Sequence, residues 1–286
     1  MSATASDARR SGPITLAVTS GKGGVGKTNV VVNLAVSLAR MHNRVAVLDA
    51  DFGLGNVDVL LGLAPPFHLG HLLSGEKDIH EILVEGPHGI RIIPASSGLR
   101  ELTALTAKQW ERLVTGLADL GQSLDFLLID TGAGISSNVL DVLGGSERVL
   151  VVTSHEPTAV VDAYAMIKIL TTMHPTKEVG LLVNGASDED EAEVVFRQLD
   201  IAATRFLHRR LKSFGYIPHD AHVRESILMQ RAVVAHAPQA PASKSFRLLA
   251  SRVAALAPLG GPGLRLVPRP DVLRASLAEM EAPQCA

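Results

Sequence analysis

Cysteine is nearly absent: Cys285 is the only one in 286 residues. A single thiol cannot close a disulfide within the chain. It also cannot build the paired-thiolate sites of structural zinc or iron–sulfur centres. An excess of positive charge is missing too. Lys and Arg number 27 against 29 Asp and Glu, giving a net charge of −2 and a pI near 6.6. Non-specific DNA binding relies on clustered basic residues, so this balance argues against it. No apolar run reaches the ~20 residues that a membrane-spanning helix needs, although the mean hydropathy is positive at +0.23. Residues 1–12 are polar and lack the apolar centre of a signal peptide. These absences fit a cytosolic location. His68, His71 and His80 form no H-x-x-x-H pair on one helix and have no cysteine to assist them, which reads them as surface or interface residues rather than metal ligands. The length suits one large α/β domain or two small ones.

What is present centres on Ser20–Asn29, S-G-K-G-G-V-G-K-T-N, which contains G-x-x-x-x-G-K-T from Gly21 to Thr28. The apolar run Ile14–Val18 precedes it. Val31, Leu34, Ala35, Leu38 and Ala39 follow at helical spacing. Strand, glycine-rich loop and helix in that order are the context of a phosphate-binding loop. Glycines let several N–H groups turn towards one anion, and the helix adds its positive end. The candidate binding residues are Gly21, Lys22, Gly23, Gly24, Val25, Gly26, Lys27, Thr28 and Asn29. Lys27 reaches the β- and γ-phosphates, and the Thr28 hydroxyl is placed to ligate Mg²⁺.

The remaining pattern alternates strands and helices. Arg44–Asp49, Gly89–Pro94, Leu124–Asp130, Arg148–Thr153, Glu178–Asn184 and Leu211–Ile217 read as buried parallel strands. Helices fall between them, at Thr106–Leu120, from Pro157, and from Asp188 to about Leu207, with a terminal one at Ser243–Leu256. The pattern predicts a doubly wound, mostly parallel α/β sheet. Ligands in such sheets sit beyond the carboxyl ends of the strands, which brings Asp49 and Asp51 near the phosphates. Asp58 reads as a helix-start acid, and Trp110 as a packing residue. Leu124–Asp130 looks like a Walker B strand, with Asp130 organising Mg²⁺ directly or through water. Thr131–Gly134, T-G-A-G, reads as a loop that follows a γ-phosphate. The expected division is a polar arm at 1–13, one nucleotide-binding domain at 14–257, and a Gly/Pro-rich tail at 258–286. Val272, Leu273, Leu277 and Met280 share a helical face in the tail. Acids outnumber Arg274 there, which disfavours contact with anionic lipid.

The run K-G-G-V-G-K-T, with its second lysine, resembles the deviant Walker A motif of the MinD/ParA family of dimerising ATPases. The resemblance extends over roughly Ile14–Leu256. It implies ATP and Mg²⁺ as ligands and an ATP-dependent homodimer in which Lys22 reaches the partner's phosphates. It further implies that Asp51 holds the attacking water, that Asp49 lies beside the Mg²⁺ water shell, and that Asn184 reads adenine. The segment G-Y-I-P-H-D resembles the stretch that closes over adenine, which makes Pro218 and Asp220 candidates. Where MinD tends to have proline, this chain has Gly132. The stretches D-A-D-F-G-L-G-N-V-D-V-L-L-G, E-P-T-A-V-V-D-A-Y-A-M-I-K and M-Q-R-A-V-V are similar to the FlhG, FleN or YlxH branch, which regulates flagellar number and placement. That branch implies partners among an FlhF-like GTPase, flagellar switch or C-ring components, and a flagellar transcriptional activator. The motif that stimulates the GTPase is not evident at Ser6–Arg10. MinD-type division-site regulation and ParA-type partition are the alternatives. Iron–sulfur carriers share the loop but need paired cysteines.

Overall fold

The computed structural model describes residues 12–95 and 105–256. Ser6–Arg10 and the tail carrying Val272–Met280 lie outside the described residues. Eight strands form one sheet: β1 (Ile14–Thr19), β2 (Val45–Ala50), β3 (Val84–Glu85), β4 (Arg91–Ile93), β5 (Phe126–Thr131), β6 (Arg148–Thr153), β7 (Glu178–Ala186) and β8 (Lys212–Pro218). Their order is β3-β4-β2-β5-β1-β6-β7-β8. Every pairing is parallel except β3 with β4. The expected doubly wound, mostly parallel sheet is therefore the observed one.

Helices follow the strands: α1 (Lys27–Ala39), α2 (Val57–Leu60), α3 (Leu69–Ser74), α4 (Ile79–Ile82), α5 (Ala107–Gly121), α6 (Ser137–Gly145), α7 (Pro157–Met173), α8 (Glu189–Leu207), α9 (Ala221–Leu228), α10 (Val233–His236) and α11 (Pro241–Ala254). Successive strand side chains point to opposite faces, so the near-continuous apolar strands feed two cores. Leu16, Val18 and Leu128 join residues of α1, α10 and α11 on one face. Ala17, Leu127 and Ile129 join residues of α3 to α8 on the other. Trp110 is buried in that second core, as its helical spacing predicts. Among the described residues no helix is long and apolar enough to cross a membrane.

Parallel pairing puts the carboxyl ends of β1, β2, β5, β6, β7 and β8 along one edge. The loop after β1 lies where the strand order reverses, with β5 and β2 to one side and β6, β7 and β8 to the other. Such a reversal opens a crevice for ligand. Four short elements, α6, α9, α10 and β3, were not expected from the pattern. The nine residues of α6 start soon after T-G-A-G and end on two glycines. Its buried Val139, Leu140, Val142 and Leu143 hold it on the sheet, where tertiary packing outweighs local propensity.

Candidate nucleotide-binding site

The loop between β1 and α1 is shaped by what it packs against. A Cβ on Gly21 would overlap the Asp162 carbonyl in α7, so only glycine permits that approach. Gly26 caps α1 in the left-handed region, with φ of 89°, a conformation that costs a side-chain-bearing residue energy. A Cβ there would also collide with the Asn184 amide, whose Nδ2 donates to the Val25 carbonyl at 2.7 Å. Ser20 Oγ donates to the Lys22 carbonyl at 2.7 Å. The start of α1 carries no side-chain cap and no acid in its first turn. Its orphan N–H groups and positive dipole end are left for an anion. Lys27 is only 8% exposed, and its charge acts on Asp130.

Asp130 feels this cation, and two further carboxylates lie near it in the fold, Asp49 and Asp51. Asp49 and Asp130 sit opposite each other on neighbouring strands β2 and β5, both buried. Burial, then the charge of Asp130, pushes Asp49 up to about 7. Burial likewise pushes Asp130 up to about 6, against the opposing pull of a Thr28 hydrogen bond and the Lys27 charge. Asp49 Oδ1 and Oδ2 accept the backbone N–H groups of Asp51 at 3.2 Å and Val57 at 3.1 Å. Asp51, partly exposed, accepts the N–H of Leu54 at 3.1 Å. Asp58 sits in the first turn of α2, which agrees with its reading as a helix-start acid.

The Asp130 Oδ1 atom is buried and has no hydrogen-bond partner. With the Thr28 hydroxyl bonded to the same carboxylate, this is an all-oxygen set that fits a hard divalent cation. Among the described residues no group of three or more His, Cys, Asp or Glu side chains is arranged to hold a metal by itself. Mg²⁺ bound through one or two protein oxygens, phosphate and water needs no such cage.

Lys22 is engaged within its own chain. Its Nζ lies 2.6 Å from Glu156 Oε2 and donates to Thr158 Oγ1 at 2.9 Å. Neither partner was identified from the sequence as a site residue. The signal was E-P-T two residues beyond β6, at the strand end where ligands gather. A cleft of about 420 Å³ opens here, lined by Lys22–Val25, Ser154–Glu156, Asn184 and Gly185. Pro218 and Asp220 are not among its walls. Pro218 ends β8. The Asp220 carboxylate caps α9 through His222 N–H at 3.0 Å and accepts Ala242 N–H at 3.0 Å. It also meets His222 Nδ1 at 2.8 Å. That acid ties the starts of α9 and α11 together.

A glycine-rich loop leading into an uncapped helix, with a buried lysine and a strand-end acid beside it, defines a P-loop nucleotide-binding protein. The ParA family model, described as NUBPL iron-transfer P-loop NTPase, matches residues 13–254. The chain belongs to this ParA/MinD family of P-loop NTPases. It is similar to the antiactivator FleN of Pseudomonas aeruginosa, 42% identical over 238 residues, covering 83% of this chain and 85% of that protein. It is also similar to the flagellum site-determining protein YlxH of Helicobacter pylori, 34% identical over 221 residues, covering 76% and 74%. Among solved structures, the cell division ATPase MinD of Pyrococcus furiosus shares the fold with a TM-score of 0.72 at 24% identity, covering 85% of this chain and 99% of that one.

Proposed function

We propose that this protein is an ATP-dependent dimerising switch with Mg²⁺-dependent ATPase activity, and that it regulates flagellar number or placement as FleN- and YlxH-type proteins do. The observation that carries the reading is the second lysine of the loop. In the ligand-free chain the Lys22 ammonium is held by Glu156 and Thr158. Released, it supplies a cation to triphosphate bound by a second copy. Charges delivered in this way are worth about 10³–10⁵ in phosphoryl-transfer rate.

In the proposed cycle Lys27 and the α1 N-terminus hold the phosphates. Thr28 and Asp130 would hold Mg²⁺, which when bound would offset charge on the phosphate oxygens. Asp51 orients the attacking water. Asp49 fixes the backbone of the loop that carries Asp51, and Asn184 meets the base. ATP favours the dimer only by its differential affinity for that state. Hydrolysis releases it, and the output is a change of partner. The partner is a flagellar switch component, an FlhF-like GTPase or a transcriptional activator, met in the cytosol or at the inner face of the membrane. The iron transfer in the family description requires paired thiols, and Cys285 stands alone.

The deciding experiment sizes wild type and Asp51→Ala with ADP and with ATP, alongside phosphate release. Wild type should hydrolyse ATP and dimerise transiently. Asp51→Ala should bind ATP, lose about 10²–10⁴ in rate, and accumulate as dimer. Monomers throughout, or undiminished turnover in the variant, would refute the cycle. Counting flagella in cells complemented with either form separates the flagellar role from the ATPase.

A further inference from the structure

One stretch concentrates basic charge in a chain whose net charge is −2. From Ile201 to Lys212 it reads I-A-A-T-R-F-L-H-R-R-L-K, with four Lys or Arg and no acid. It forms the end of α8 and the reversal into β8, with His208 in the left-handed region at φ of 53°. Lys212 opens β8, so this turn stands at the amino edge of the sheet, opposite the nucleotide site. Lys212 pairs with Glu178 at 3.0 Å, and Arg209 Nη2 donates to the Lys177 carbonyl at 2.9 Å. Arg205 and Arg210 are exposed and enter no ion pair among the described residues. Phe206 is 64% exposed, and the Arg205 guanidinium carbon lies 5.3 Å from its ring centroid. Asp200 is turned to the Leu211 N–H at 2.8 Å, and the other acids of α8 lie at its far end, between positions 188 and 193. At ~1.5 Å of rise per residue they are roughly 20 Å from Phe206, beyond two Debye lengths of about 8 Å in physiological salt.

We propose that the turn between α8 and β8 is a contact site for an anionic bilayer surface, with Arg205 and Arg210 against lipid phosphate and Phe206 in the headgroup layer. A cation in the last turn complements a helix dipole. That accounts for Arg205, but not for Arg210 beyond the helix or for an exposed ring between them. At a membrane interface all three find a partner. The arginines meet negative headgroups, and the ring buries its apolar faces at the boundary with the acyl chains. Arg205 need not leave the ring, since a guanidinium can stack on an aromatic face and still donate to phosphate. Nucleic acid offers the same phosphates but fits less well. A duplex backbone leaves Phe206 in water, and one ring is no platform for successive bases. The site lies on the folded domain and does not depend on the nucleotide reading.

The test sediments the full chain with vesicles of phosphatidylcholine, alone or mixed with phosphatidylglycerol. Wild type should bind the mixed vesicles, weaken as salt rises, and ignore the neutral ones. Arg205→Glu with Arg210→Glu should lower affinity by about twentyfold or more, at roughly fivefold for each charge removed. Lys108→Glu with Lys244→Glu makes the same change in net charge at exposed positions in the first turns of α5 and α11. That control should stay within about twofold of wild type, because its charges lie outside the screening range of the contact. Brominated lipid should quench the Phe206→Trp chain, whereas wild-type fluorescence comes from buried Trp110 and should be unaffected. If the double reversal at 205 and 210 melts below wild type, the quenching result decides alone. No binding to the mixed vesicles, equal loss in both charge reversals, or no quenching at position 206 overturns the proposal. So does vesicle binding that survives the reversal at 205 and 210, which puts the contact elsewhere in the chain. A duplex oligonucleotide bound through the same arginines, without vesicle binding, assigns the cluster to nucleic acid and overturns it too.

Discussion

The two halves of the site are held by different forces. The phosphate loop takes its shape from close packing: Gly21 against the α7 backbone and Gly26 beneath the Asn184 amide. None of those contacts depends on a titrating group. The segment 51–57 hangs instead from two carboxylates, with Asp49 accepting Asp51 and Val57 N–H groups and Asp51 accepting that of Leu54. Leu54 at its middle is 77% exposed, while Phe52 and Val57 on either side are buried in the two cores. A cradle built from backbone contact stays in place whether or not ligand is present. A segment hung from acids answers to protons and cations, which is what a sensor of nucleotide state requires.

The sharpest way to break this comparison is at Gly21. Gly21→Ala forces a Cβ into the α7 backbone, where no flexible side chain can yield. Overpacking of this kind costs about 1–3 kcal/mol. Thermal unfolding should show a midpoint lowered by roughly 3–10 °C, together with weakened binding of both ADP and ATP. A variant with wild-type melting and affinity would mean that the loop is soft and that the packing account of it is wrong.

Most of the cradle was legible in the sequence, and the reason is physical. Gly21, Lys27 and Thr28 carry their roles in residue type and spacing, because a backbone anion site needs glycine where it curls and a cation where it ends. The sheet was legible for a similar reason: strands buried on both faces are apolar throughout. Long-range pairings were not legible. Nothing near Asp220 announces that Ala242, on another helix, donates to it. Nothing near Lys22 announces Glu156, 134 positions away. The helix α6 was hidden because its stability comes from the core rather than from its own residues.

A second test concerns protons. Asp49 is raised from 3.8 to about 7 by burial first and Asp130 second. The folded chain therefore binds an extra proton between those values. The stabilisation is fully present below about pH 4 and lost as pH rises through about 7. Other carboxylates follow the opposite trend, so the useful quantity is the difference between wild type and Asp49→Asn. In the ligand-free state, wild type should lose melting temperature relative to the variant from pH 5 to pH 8. Mg²⁺ with nucleotide should flatten that difference, since a bound cation favours the charged form of the acids. Curves that run parallel across this range would show that Asp49 is ionised throughout, and that segment 51–57 does not hang from a proton-sensitive support.

The smallest expected effect on stability falls at the Lys22 side chain, which reaches from the phosphate loop to Glu156 and Thr158. Its partner Glu156 is exposed, and the pair lies at the rim of the cleft. Lys22 holds the Glu156 carboxyl below its usual range, by hydrogen bond first and charge second. Exposed ion pairs contribute little or nothing measurable to folding, so Glu156→Gln should melt like wild type. Its effect should appear in assembly instead. A lysine that must leave an ionised partner to reach a second copy makes that pair a cost of dimerisation, and neutral glutamine lowers the cost while keeping the side chain's shape. Light scattering with ATP, in an Asp51→Ala background that prevents turnover, should show Glu156→Gln dimers at lower protein concentration than the background alone. If the substitution instead weakens the dimer, Glu156 aims Lys22 across the interface rather than holding it back. The charge would then belong to the assembled site rather than to the resting monomer.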